Sequence, residues 1–286
     1  MLPSEVQRLL DQGKRMEAVE RMVGLLIDAC KEAEYKRCSE IALALARLAK
    51  EQDLLEWTAR KLGELEGGAK EESVAAHLGL FYIYRALGRL PKAWHNLSLA
   101  VRLAGWDMES VILPEYRRLM RQKRYAEAGL SALERFKLSQ NYAHLAELEA
   151  AYNGAKKAGR EELARFLRWL REACNLSGDD IGARLVLVLL KAKEGKEVEA
   201  AQELEGLLRE YPRFLAALRV AVDLFLSLHP LVHKLQRYDL LLLNELSLLH
   251  VYWLQPLMEA GDKRRALEAY RERVRYQLNE TPSITS

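Results

Sequence analysis

The stretch RALGRLPKAW, residues 85–94, decides how the rest of the chain is read. Gly88 precedes Ala93 by five residues, with Arg89 and Lys92 between them. The same spacing returns in LDQGKRMEAV (Gly13, Ala18), KKAGREELAR (Gly159, Ala164), AKEGKEVEAA (Gly195, Ala200) and MEAGDKRRAL (Gly261, Ala266). Each copy reads as a turn followed by a new helix. Glycine permits the turn conformation, and the small alanine lets two helices approach closely.

Measured on Ala18, Ala59, Ala93, Ala128, Ala164, Ala200 and Ala266, the intervals are 41, 34, 35, 36, 36 and 66 residues, the last close to two periods. Composition agrees with a chain of helices. Ala, Leu, Glu, Lys and Arg dominate, while Gly (16) and Pro (7) are few among 286 residues. Those dominant residues are the strong helix formers. The expectation is an all-α protein. Half the residues are hydrophobic and 30% are charged, the balance of a folded chain with a substantial core.

A period in the low-to-middle thirties is that of helix-turn-helix solenoids. The copy at 74–107 resembles the tetratricopeptide repeat in Leu80, Tyr84, Gly88, Ala93, Leu97 and Ala100. A second, ending near Pro212, carries Leu187, Gly195, Ala200, Leu204 and Leu207, and a third, at 247–280, carries Trp253, Leu257, Gly261, Ala266 and Tyr270. Elsewhere the pattern drifts: Lys123 stands in place of the turn glycine, and KEQDLLEW before Ala59 has none. The resemblance implies a right-handed α-solenoid of about seven to eight helix pairs. Three regions are expected: N-terminal hairpins over 1–66, a regular array over 73–212, and an irregular pair with a final repeat over 213–286. The Gly67-Gly68 run reads as the loop between the first two.

In tetratricopeptide arrays the first helix of each pair lines a concave groove. Transferring that frame places Tyr82, Arg85, Arg117, Arg121, Asn153, Lys156, Lys157 and Lys193 in the groove, with Leu78, Leu113, Glu149 and Leu185 alongside. Six cations against a single acid suit an anionic partner through charge-assisted hydrogen bonds and steering. Asn153 among them resembles the family's clamps for a peptide carboxylate. The resemblance therefore implies a non-catalytic scaffold that binds a protein segment, acidic in character. Nucleic acid is disfavoured, because aromatic stacking partners beyond Tyr82 are few there and the net charge is only +3.

The tail EAGDKRRALEAYRERVRYQLNETPSITS is similar to the last helix of the bacterial transcriptional activator domain, through Gly261, Ala266, Leu267, Tyr270, Leu278, Asn279, Pro282 and Ser283. That second resemblance implies an alternative role, the ligand- or partner-sensing module of a bacterial transcriptional regulator.

Sites for chemistry are few in the sequence. It contains no Gly-rich phosphate loop, no H-E-x-x-H and no G-x-S-x-G. His229 and His233 have a helical metal spacing, but Pro230 and the lack of a third ligand argue against a site. No enzyme activity, cofactor or metal is expected. Cys30 and Cys38 are too far apart for a disulfide within one helix and read as packing residues. Cys30, Cys38 and Cys174 make no even framework, which suits a reducing, cytoplasmic setting. The apolar run 238–258 includes Asp239, Glu245 and His250 and reads as a buried helix, not a membrane span.

Overall fold

The computed structural model describes residues 2–32 and 34–211, together with Phe214, Ala216, Ala217 and Val220. It is all-helical, with thirteen α-helices and no strand among the described residues. They are α1 (Ser4–Asp11), α2 (Arg15–Lys31), α3 (Tyr35–Glu51), α4 (Leu55–Gly63), α5 (Lys70–Ala86), α6 (Leu90–Ala104), α7 (Met108–Val111), α8 (Leu113–Arg121), α9 (Tyr125–Ser139), α10 (Tyr142–Ala158), α11 (Arg160–Leu176), α12 (Ile181–Lys193) and α13 (Glu197–Glu210). None of the described helices is long and apolar enough to cross a membrane. The chain forms two compact units, Met1–Gly178 and Asp179–Ser286.

The turn quoted at the outset has a defined geometry. Gly13, Gly88 and Gly195 take φ of 73°, 74° and 81°, each between the two helices of a pair. The residue after each glycine donates its N–H five residues back: Lys14 to Leu9, Arg89 to Tyr84, and Lys196 to Lys191, at 2.8–3.1 Å. That left-handed residue and long-span bond are the Schellman closure of a helix C-terminus. Asp53 and Lys123 adopt the same conformation, with φ of 59° and 58° and the same bond, Leu54 to Ala49 and Arg124 to Leu119. The turn therefore survives where glycine is absent. Gly159 departs from it, at φ 122° and without the five-residue bond.

Counting five residues on from Asp53 gives Thr58, not Ala59. Thr58 is fully buried, and its hydroxyl donates to the Leu54 carbonyl, which lets a polar side chain occupy the small-residue site. Ala18, Ala93, Ala128 and Ala200 are buried at the equivalent places.

Side-chain caps fix several helix starts. Asp107, Asn141 and Asp180 each accept from backbone N–H groups of the first turn, and Glu72 accepts from the Ala69 N–H ahead of α5. In the first unit α2, α3 and α4 all pack on α5, across the 64–69 connection that holds the Gly67-Gly68 run. Gly79 permits a close approach there: a Cβ would lie 2.8 Å from Leu62 and 3.4 Å from Leu26. Beyond α5–α6, helix α9 is the centre. It packs on α6, α8, α10 and α11, and every residue from Ala126 to Lys137 is buried. Helices α6 and α11 touch as well, as do α2 and α5, so packing reaches past the neighbouring pair. In the second unit α12 and α13 form a hairpin around Leu185, Val186, Val188, Leu204 and Leu207, with ion pairs Arg184–Glu210 and Lys191–Glu203 on its surface.

Trp94 is fully buried, while Trp57, Trp106 and Trp169 are half-buried. The expected irregular pair and final repeat over 213–286, Trp253, both histidines of HPLVH and the residues of the second resemblance lie outside the described helices.

Candidate functional site

The expected groove residues sit on four helices, each the first of its pair: α5 (Tyr82, Arg85), α8 (Arg117, Arg121), α10 (Asn153, Lys156, Lys157) and α12 (Lys193). In the first unit these helices are joined by side chains. Arg85 of α5 reaches Glu115 of α8 at 3.6 Å, and the Tyr116 hydroxyl of α8 donates to the Glu147 carbonyl of α10 at 3.1 Å. Burial and the neighbouring Glu147 carboxylate push the Tyr116 hydroxyl up to about 12, so it stays a donor.

The residues fall into two groups. Tyr82 and Arg85 are half-buried and already engaged. The Tyr82 hydroxyl shares a hydrogen bond with Ser39 of α3, and its ring packs edge-on to Phe81 at 4.8 Å. Arg85 lies 5.2 Å over the Phe81 ring and donates to Glu127 at 3.3 Å. Glu127 is 1% exposed against 21% for Arg85, so this arginine serves the interior. Desolvation holds the Glu127 carboxyl above its usual range, and Arg85 and Arg124 oppose that rise. The count of cations against a single acid changes accordingly, since Glu115 and Glu127 answer Arg85.

The second group is exposed. Arg117, Lys156 and Lys157 make no ion pair among the described residues, and Arg121 turns only to the Arg117 carbonyl, at 3.3 Å. Asn153 is exposed one turn before Lys156 and Lys157. The Tyr116–Glu147 bond brings α8 and α10 together, so these cations occupy neighbouring helices. Leu78 and Leu185, expected alongside them, are buried in the core, and Lys193 is exposed at the end of α12 in the second unit.

Two features were not anticipated from the sequence. Arg135, also buried, is clamped between Glu109 of α7 and Glu147 of α10, with His144 beside both carboxylates. The only advance signal was charge at positions that periodicity assigns to a solvated face. An open depression of about 550 Å³ lies between Lys92 of α6 and Arg168, Arg171, Glu172, Asn175 and Leu176 of α11. It shares no residue with the groove set. No protein-family model matches the chain, and no curated protein is similar to it in sequence.

Proposed function

We propose that this chain is a tetratricopeptide-like, right-handed α-solenoid of about seven to eight helix pairs. It acts without catalysis, as a scaffold whose concave groove holds an acidic protein segment. The observation that carries the reading is the exposure of Arg117, Arg121, Lys156 and Lys157, without ion pairs among the described residues, on two first helices that a hydrogen bond joins, with Asn153 exposed one turn before the lysines. The recurrent left-handed turn at Gly13, Asp53, Gly88, Lys123 and Gly195 supports the repeat frame from which that groove is drawn. Guanidinium forks grip carboxylates in two places at once, and lysine ammonium groups add field and reach.

Arg85 has a different part in this scheme. It already neutralises Glu115 and Glu127, so it fixes α5 against α8 and α9 and leaves capture to the exposed cations. Tyr82, tied to Ser39, supplies a ring edge to the groove wall.

Affinity capture from lysate with the wild-type chain and an Arg117→Glu/Lys156→Glu variant tests the reading. The wild type is expected to retain a partner that the variant loses, with helical signal and melting temperature nearly unchanged. A partner retained equally by both removes the basic groove.

A further inference from the structure

Cys30 and Cys38 do not share a helix. Cys30 is the penultimate residue of α2 and Cys38 the fourth of α3, so the intervening turn folds them back towards each other. Both are free thiols, 6% and 0% exposed, set at the adjoining ends of two helices that pack on each other, and each influences the other's thiol. Their free, buried thiols fit the packing expectation, and the turn sets them on adjoining helices instead of one. Helices α2 and α3 pack on each other and both pack on α5, so the hairpin holding the pair is fixed. Exposed Lys31, Glu32 and Glu34 flank the thiols in sequence. Cys174, equally buried at 1%, has no second cysteine in its helix.

We propose that Cys30 and Cys38 form a redox-active dithiol, which a peroxide converts reversibly into a disulfide pinning α2 to α3. The Cys38 sulfur attacks the O–O bond of hydrogen peroxide, gains one oxygen as a sulfenic acid and releases one water. The Cys30 sulfur then displaces that oxygen as a second water, and the S–S bond forms. Two electrons pass from the thiol pair to one peroxide, and a small dithiol reverses the step by exchange. The neighbouring Cys30 thiol, with help from Arg37, holds the Cys38 thiol below its ordinary range. The Cys30 thiol is pushed up by its Cys38 neighbour and by burial, and in this scheme Cys38 attacks and Cys30 resolves. Burial slows entry, but hydrogen peroxide is neutral and water-sized, and helix ends fray locally.

The reduced full chain is treated with hydrogen peroxide, quenched with catalase and labelled with N-ethylmaleimide for intact-mass and peptide analysis. The expected product takes up one maleimide where untreated, denatured protein takes three, one per cysteine. Trypsin, which cuts after Lys31, should release the Cys30 and Cys38 peptides still joined, and dithiothreitol should part them. Cys174→Ser should give the same linkage, and Cys30→Ser should leave Cys38 as a sulfenic acid trapped by dimedone. Three maleimides under peroxide that oxidises a cysteine-containing control peptide would overturn the proposal. So would oxygen added at separate sulfurs without the link, or loss of the Cys174 label at the same rate.

Discussion

Glu127 sits 1% exposed beside Arg85 and Arg124, and desolvation raises its carboxyl above the ordinary glutamate range. Between the unfolded value and the raised folded one, the folded chain keeps a proton that the unfolded chain has released. Stability then falls as pH rises through that window. Glu127→Gln should abolish this contribution, so the denaturation midpoint of the variant relative to wild type should climb from about pH 4 to pH 7. A difference that stays flat, or falls, would mean that the fold does not raise the Glu127 carboxyl. Gly129 makes a steric prediction at the same scale. A Cβ there would run into the Phe166 ring of α11, which is fully buried. Gly129→Ala should therefore destabilise by about 1–3 kcal/mol, although helix propensity alone favours alanine by about 1 kcal/mol. Chemical denaturation distinguishes the two signs. Residue-scale legibility was uneven. Ala93, Ala128 and Ala200 are buried where the spacing placed them, whereas Asp53 and Lys123 hold the left-handed turn without the glycine that advertises it in sequence.

Helix α9 shows what periodicity could not tell. Its sequence YAEAGLSALERFKLS carries Glu127, Glu134, Arg135 and Lys137, charges that a helical wheel assigns to water. Four helices enclose it, and each of those charges finds a partner at close range. Glu134 and Lys137 pair at 2.6 Å with side chains 0% and 3% exposed. Removing one member of such a pair strands the other. Lys137→Met should cost about 3–5 kcal/mol, while Glu134→Leu with Lys137→Met should recover most of that loss. Thermal or urea denaturation of the single and double variants measures the difference. If the single variant is as stable as wild type, the pair is hydrated and α9 is less enclosed than described. The helices that cover α9 come from sequence positions up to about 50 residues away, so the periodicity of α9 alone does not reveal them.

At the scale of the molecule, the all-helical class and the turn positions were legible, because one packing problem is solved repeatedly along the chain. The contacts α2–α5 and α6–α11 were not, since a repeat frame speaks only of nearest neighbours. The same limit applied to the groove, where the frame named Arg85 without the acids that occupy it. If the frame is right, Ala93→Trp in the first unit and Ala200→Trp in the second should each overpack a helix pair, destabilising by about 1–3 kcal/mol. Tolerance at both sites would break the frame. The central claim concerns what the exposed cations of α8 and α10 hold. Selection of random displayed peptides on the wild-type chain, repeated on Arg117→Glu/Lys156→Glu, tests it most directly. The account predicts that Asp- and Glu-rich peptides are enriched on the wild type, released by salt, and lost on the variant. Enrichment of peptides without acidic bias, or of the same peptides on both proteins, would contradict it.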